Sequence, residues 1–134
     1  MTSLLGAHVS IAGGVELAPG RGDELGCEAI QIFSKNQRQW AAKPLTEETA
    51  AAFREALKKS KQRATAIHDS YLINLADKRE ENVAKSRDAF VIELERAQLL
   101  GIPYLIFLPR ARGPPAPSRP HHSIFCGRTA HRGG

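Results

Sequence analysis

The sequence predicts an α/β fold with about four parallel strands joined by crossover helices. Short apolar runs at residues 4–9, 28–33, 64–68 and 104–108 alternate with longer amphipathic stretches, which is typical of strands and helices in turn. The stretches between the runs are long enough for crossover connections, so consecutive strands should be parallel. With 134 residues and 42% apolar content, the chain has the size and composition of a soluble globular piece.

The stretch after the first run predicts a short, broken helix at best. Its sequence, VELAPGRGDELG, contains Pro19, Gly20 and Gly22. A proline inside a helix costs about 3 kcal/mol and a glycine about 1 kcal/mol relative to alanine. A long crossover helix is therefore not expected at this position.

The second crossover stretch, PLTEETAAAFREALKKSK, predicts a continuous helix. Thr46 is a candidate N-cap, because its hydroxyl can accept a hydrogen bond from an unpaired backbone N–H of the first turn. Glu47 and Glu48 follow in that turn, where the helix dipole favours anions. Lysines close the far end, where the dipole favours cations.

The third crossover stretch predicts a helix over residues 80–100, with Gly101 as the stop signal. Apolar residues in this stretch recur at helical spacing, which indicates that one face of the helix is buried. This face is expected to contain four residues: Val83, Phe90, Leu94 and Ala97.

The composition changes abruptly after Pro109. Residues 110–134 contain no acidic residue and no lysine, but they hold five arginines that account for the whole net charge of +5. Residues 1–109 are therefore formally neutral, and bulk charge does not indicate that the folded part binds nucleic acid. We predict a partial domain at 1–109 and an irregular tail at 110–134.

The tail has two explanations. Its excess of arginine, proline, glycine and histidine is typical of a disordered basic segment. Alternatively, it is an out-of-frame translation of a GC-rich gene. We prefer the second explanation, because the change falls inside an apolar strand with no linker before it.

The remaining composition indicates the cellular compartment. No apolar run is long enough to span a membrane, and the N-terminus does not resemble a secretion signal. The two cysteines, Cys27 and Cys126, form no disulfide framework, and Cys27 is expected to be a buried thiol. These features predict a cytoplasmic protein.

Polar side chains follow three of the four predicted strands. His8 ends the first strand, SKNQRQW follows the second at 34–40, and HDSY begins at the end of the third, at 68–71. Because the carboxyl ends of parallel strands meet at one edge, these segments are candidates for a functional site. Trp40, the last residue of the second segment, is expected to be buried.

Four segments resemble, in order and at similar spacing, the opening half of bacterial endonuclease IV. They are GAHVSIAGG, SKNQRQW, HDSYLINLA and AKSRDAFVIELERAQLLGIPYLIF, and the resemblance spans about residues 4–107. It implies the N-terminal half of a (β/α)8 TIM barrel. It also implies the activity of a zinc-dependent apurinic/apyrimidinic endonuclease of base excision repair, which hydrolyses the phosphodiester 5′ to an abasic site in double-stranded DNA.

The resemblance implies a multi-zinc cluster in which His68 matches one ligand. Imidazole is a good zinc donor, and a strand end holds it rigidly. A lone histidine there would more often be structural, but the surrounding motif favours the ligand. His8 lies at the equivalent end of the first strand and is expected to neighbour the metal without binding it. Leu108 stands where the family has a second zinc-binding histidine, and leucine cannot ligate a metal.

The resemblance also implies DNA-binding residues on two loops. Arg38 corresponds to a side chain that enters the duplex beside the lesion, with Asn36 and Gln39 assisting and Lys35 adding positive charge. Tyr71 resembles an aromatic wedge that occupies space in the opened base stack.

The residues leave two other functions open. The same superfamily fold serves sugar isomerases, so the barrel alone does not select the reaction, although SKNQRQW and Tyr71 favour the nuclease. A non-catalytic basic nucleic-acid-binding module, led by the tail, is the third function considered. Because a complete barrel takes about 250 residues, we expect this chain to be inactive alone and to self-associate through the open edge of its fourth strand.

Overall fold

Four parallel strands form the centre of the computed structural model, which describes residues 3–108 and 124–127. They are β1 (Leu4–His8), β2 (Ala29–Ile32), β3 (Ala64–His68) and β4 (Tyr104–Ile106). Each pairs with its neighbour in the sequence, in the spatial order β4-β3-β2-β1. The predicted parallel strands and crossover connections are confirmed.

A fifth strand, β5 (Ile124–Gly127), pairs antiparallel with the outer edge of β1. The sequence predicted no strand in the tail, so this pairing differs from the expectation of a wholly irregular segment. An open strand edge presents unpaired backbone N–H and C=O groups, and it can pair with an extended segment whatever its side-chain pattern. The rest of the predicted tail, residues 110–123 and 128–134, lies outside the described residues.

The first crossover is short, as predicted. A single 3-10 turn (Val15–Leu17) leads into α1 (Ala18–Glu24). Pro19 lies in the first turn of α1, where its missing N–H has no helical partner to lose. Gly22 faces β2, and a Cβ there would lie 2.5 Å from the side chain of Ile30.

The second crossover helix, α2 (Glu47–Lys59), begins as predicted. The backbone N–H of Thr49 donates to the hydroxyl of Thr46 at 3.2 Å, which makes Thr46 the N-cap. Phe53 and Ala50 are fully buried against the sheet side of the helix. Capping and burial together explain why this stretch is helical.

The third crossover helix, α3 (Glu80–Leu100), has the predicted bounds and ends at Gly101 with a left-handed φ of 69°. Its predicted buried face, however, is wrong in detail. Leu94 is 47% exposed, and of the four predicted residues only Ala97 is buried. Six residues of α3 are buried, of which three are apolar (Ala89, Ala97 and Leu100) and three are polar (Ser86, Glu93 and Arg96).

The polar residues are buried because each has a partner elsewhere in the fold. The Ser86 hydroxyl accepts a hydrogen bond from the backbone N–H of Asn74 at 2.9 Å, and Glu93 and Arg96 both bind Ser34. A search for apolar spacing does not find such a face, because the partners are distant in sequence.

The hydrophobic core lies between the sheet and the three helices. No helix in the part of the chain that the structure describes is long and apolar enough to span a membrane. The buried core residues come from every layer: Val9, Val15, Ala18, Ile30, Ile32, Ala50, Phe53, Ile67, Ala97, Leu100 and Ile102.

Close approach of β1 and β2 requires a glycine at position 6. A Cβ on Gly6 would lie 2.3 Å from the backbone oxygen of Ala29. We expect Gly6→Ala to force the strands apart and to lower the free energy of unfolding by about 1–3 kcal/mol. Chemical denaturation followed by far-ultraviolet circular dichroism measures the change.

The matched control is Gly20→Ala in α1, where an added Cβ meets no atom within 4 Å. This variant should be as stable as the parent or more stable by about 0.4–1 kcal/mol, because alanine restricts the unfolded chain. Equal effects of the two substitutions would contradict the role given to Gly6.

Candidate functional site

Three of the predicted site residues meet around Phe33, at the carboxyl end of the sheet. His8 ends β1, His68 ends β3, and Phe33 follows β2 between them. The ring of Phe33 lies 4.4 Å from that of His8, 5.6 Å from that of His68 and 5.5 Å from that of Tyr71. His68 and Tyr71 are 5.6 Å apart. Phe33 was not among the predicted site residues, although it is the last residue of the predicted second strand, at the edge where the site was expected.

The ring of His68 is held in one orientation and one tautomer. Its Nδ1 lies 2.8 Å from the backbone oxygen of Asp69. A carbonyl oxygen only accepts, so Nδ1 carries the hydrogen and Nε2 of the neutral ring has the lone pair. This is the arrangement that second-sphere hydrogen bonds impose on metal-binding histidines.

His8 has the opposite arrangement. The side-chain amide nitrogen of Gln31 lies 3.3 Å from Nδ1 of His8 and donates to it, so Nε2 of the neutral ring carries the hydrogen. Burial, and to a smaller extent the nearby His68, lowers the pKa of His8. His8 therefore stays neutral at neutral pH and offers an N–H donor, which agrees with its expected place beside a metal rather than on it.

The donor set fits one zinc ligand rather than a complete site. Zinc in proteins takes three or four protein ligands, and among the predicted site residues His68 Nε2 is the candidate for one. Within the described residues, no three His, Cys, Asp or Glu side chains are placed to hold a metal together. Leu108 lies two residues beyond β4 and is exposed.

Residues 34–43, which we call the β2–α2 loop, carry the predicted DNA-binding side chains. Asn36, Arg38 and Gln39 are exposed. The backbone N–H of Arg38 donates to the side-chain oxygen of Asn36 at 3.0 Å, and that of Gln39 donates to the Asn36 carbonyl at 3.3 Å. These bonds form a tight turn with Arg38 at its tip.

Lys35 differs from the other predicted DNA contacts because it is only 6% exposed. Its ammonium donates to the backbone oxygen of Gln39 at 2.8 Å. Burial lowers the pKa of Lys35, while the carboxylate of Glu93 opposes this shift. The geometry indicates that Lys35 supports the β2–α2 loop from inside, and its contact with DNA remains a prediction that this burial disfavours.

Trp40 is 41% exposed, so the expectation that it is buried is wrong. It lies in the β2–α2 loop, and the sequence pattern does not show whether a large aromatic residue in a loop is buried or exposed. Cys27 is a free thiol and only half-buried, packed at the margin of the core.

The β2–α2 loop contacts the segment that carries His68 and Tyr71. The hydroxyl of Ser70 donates to the backbone oxygen of Gln37 at 2.8 Å. An open groove of about 730 Å³ runs beside this contact and is lined by His8, residues 9–12 after β1, Phe33 and the loop. Candidate metal-binding and DNA-binding groups therefore share one edge of the sheet.

Known proteins similar to this chain identify its family. The family described as xylose isomerase-like TIM barrel matches residues 21–124. Two proteins named "Probable endonuclease 4" are each 49% identical to this chain. The one from Chloroflexus aurantiacus aligns over 106 residues, 79% of this chain and 37% of its own length. The one from Phocaeicola vulgatus aligns over 107 residues, 78% of this chain and 38% of its own length.

A solved structure agrees with these matches. The crystal structure of endonuclease IV from Thermus thermophilus superposes with a TM-score of 0.72 at 38% identity, covering 76% of this chain and 38% of that one. The chain thus spans less than two fifths of the length of these relatives. The predicted partial TIM barrel and the family resemblance are confirmed.

The two histidines should show opposite tautomers in solution. We expect His68 to carry its hydrogen on Nδ1 and His8 on Nε2, because of their bonds to Asp69 and Gln31. Long-range proton–nitrogen NMR correlations distinguish the two forms. Gln31→Ala should shift the tautomer of His8 and leave that of His68 unchanged; an Nε2–H form of His68 in the parent chain would contradict the assignment.

Proposed function

Because this chain belongs to the xylose isomerase-like TIM barrel family and its relatives are named endonuclease 4, we propose that it carries part of a zinc-dependent AP endonuclease. Such an enzyme of base excision repair hydrolyses the phosphodiester 5′ to abasic sites in DNA. The observation that carries the proposal is that His68, with an available Nε2, lies beside the exposed Tyr71, on a segment that contacts the loop carrying the exposed Arg38. The half-buried free thiol of Cys27 suits the reducing cytoplasm.

Each side chain has a separate task in this proposal. Tyr71 fills the space left in the base stack at an abasic site, and Arg38 pairs with phosphate or stacks on a neighbouring base. Asn36 and Gln39 offer amide groups to the backbone of the DNA. His8 donates Nε2–H to a phosphate oxygen, since its Nδ1 is occupied by Gln31.

His68 would hold a zinc ion through Nε2. A bound zinc supplies hydroxide near neutral pH and stabilises negative charge on phosphate oxygens. One imidazole does not retain a metal cluster, and Leu108 provides no ligand. We therefore propose that this chain binds abasic DNA through its loops but does not cleave it alone.

Binding to abasic DNA should depend on Arg38 and Tyr71. We expect Arg38→Ala and Tyr71→Ala each to raise the dissociation constant for an abasic duplex by about tenfold, because each removes a stacking or phosphate contact. The two variants should have little effect on the weaker binding to an intact duplex. Fluorescence anisotropy of labelled duplexes measures both constants.

The matched control is Lys58→Ala, which removes an exposed positive charge at the far end of α2, close to the opposite edge of the sheet. It should leave the preference for the abasic duplex intact. The nuclease assignment would be contradicted if the parent chain bound the abasic and the intact duplex with equal affinity. It would also be contradicted if the parent chain bound sugar phosphates more tightly than abasic duplex. EDTA-sensitive incision by the pure chain would refute the proposal that it is inactive alone.

We also propose that the open side of β4 associates with a second copy of the chain. Within residues 3–108 and 124–127, β4 pairs with β3 alone. Tyr104, Phe107 and Leu108 expose large apolar side chains there, and Val91 and Leu94 do so on α3. An open edge beside apolar surface favours pairing with another strand, and two identical chains can satisfy it symmetrically.

A charge at this edge should weaken the association. In a symmetric dimer Tyr104→Lys places like charges near each other, so we expect the dissociation constant of the dimer to rise by about tenfold or more. Sedimentation velocity over a range of concentrations measures it. Leu25→Lys, at an exposed apolar position after α1, is the control and should change nothing. A parent chain that remains monomeric at high concentration contradicts the proposal.

A further inference from the structure

One side chain of α3 holds both ends of the β2–α2 loop. The guanidinium of Arg96 donates to the backbone oxygen of Ser34, where the loop begins, and to that of Lys43 at 3.1 Å, where it ends. Its Nε also donates to the Ser34 hydroxyl at 3.0 Å. The planar fork of an arginine can bind several acceptors in a fixed arrangement, which a lysine ammonium on a flexible stem cannot do.

Glu93, one turn earlier on α3, completes this contact. Its carboxylate accepts a hydrogen bond from the Ser34 hydroxyl at 2.5 Å. The Ser34 hydroxyl therefore donates to Glu93 and accepts from Arg96 at the same time. Both charged residues lie on the core-facing side of the helix, joined through one loop residue.

The burial of these charges calls for an explanation other than stability. Glu93 is 1% exposed and Arg96 is 9% exposed. Taking charged groups out of water is costly, and well-packed apolar residues in their place are often neutral or stabilising. The contacts of Glu93 and Arg96, by contrast, converge on the β2–α2 loop. A role in fixing the conformation of the loop therefore explains why Glu93 and Arg96 are buried, which a contribution to stability does not explain.

We propose that Glu93 and Arg96 are positioning residues that fix the β2–α2 loop in the shape that presents Arg38. Lys35, close to Glu93, ties the interior of the same loop to the Gln39 carbonyl. The consequence for DNA rests on the proposed function, whereas the effect on loop conformation does not.

Loop order can be measured without DNA. Trp40 is the single tryptophan of the chain and lies in the loop, so its fluorescence anisotropy reports local motion. Tryptic cleavage after Arg38 reports local opening, whereas the bond after Lys43 resists trypsin because Pro44 follows it. We expect Arg96→Lys to raise the rate of this cleavage by about tenfold and to lower the anisotropy, because the fork contacts are lost.

A double variant separates positioning from stability. Glu93→Met together with Arg96→Met removes both buried charges and leaves neither unpaired. The midpoint of chemical denaturation should stay close to that of the parent chain, while cleavage in the loop rises by about tenfold. If Glu93 and Arg96 only filled space in the core, the double variant would have both the denaturation midpoint and the loop cleavage rate of the parent chain.

The control is Arg87→Lys, at an exposed position on the same helix. It should match the parent in anisotropy and cleavage. If Arg96→Lys fails to fold, Ser34→Ala carries the test, since it removes one hydroxyl and keeps the backbone contacts; we expect about threefold faster cleavage. Loop cleavage and anisotropy equal to those of Arg87→Lys in the folded variants would overturn the proposal.

DNA binding then gives an independent result. If the loop presents Arg38, the affinity lost for abasic duplex in Arg96→Lys and in Arg38→Ala should not add in the double variant, because both remove the same contact. Full additivity would contradict positioning of Arg38. A parent chain that does not bind abasic duplex would remove the proposed function and leave the result on loop order unchanged.

Discussion

Parallel pairing in register is the constraint on which the candidate site depends. His8 lies level with Gln31, Ile32 with Ile67, and His68 with Ile106, so the strands reach the carboxyl edge at neighbouring positions. Side chains alternate along a strand, and a slip of one residue would turn the histidines to the other face of the sheet. The grouping of aromatic rings around Phe33 is thus a consequence of register.

Loops beyond that edge are shaped by arginines of the crossover helices. Arg21 of α1 donates to the backbone oxygens of Ser10 at 2.7 Å and Ala12 at 2.6 Å, in the loop after β1. Arg96 of α3 does the same for the loop after β2. Loop carbonyls lack ladder partners, and a guanidinium satisfies two of them at once. The strands fix where the loops start, and these arginines fix their course.

Local signals in the sequence were sufficient for the four parallel strands and for the bounds of α2 and α3. Thr46 caps α2 and Gly101 ends α3 as their residue types predict, because capping depends on neighbours a few residues away. Pro19 did not break α1, because it lies in the first turn of the helix, where its missing N–H has no helical partner to lose. The parallel direction of the strands followed from crossover length.

Contacts between distant residues explain what the sequence did not predict. Glu93 and Arg96 are buried because they bind Ser34, which lies 59 and 62 positions away. Lys35 is buried near Glu93 and Arg96, although its residue type and its motif predicted an exposed side chain that contacts DNA. His8 and His68 were expected at one edge, but their opposite tautomers depend on Gln31 and the Asp69 carbonyl, which only coordinates reveal.

Four of the hydrogen bonds that shape the β2–α2 loop share one chemical property: their acceptors are main-chain oxygens. Arg96 binds those of Ser34 and Lys43, Ser70 binds that of Gln37, and Lys35 binds that of Gln39. Every residue type has this oxygen, so a new side chain at the acceptor position leaves the bond in place. The side chains at the tip of the loop can therefore change, in evolution or in a designed library, while these hydrogen bonds keep the backbone of the loop in the same conformation.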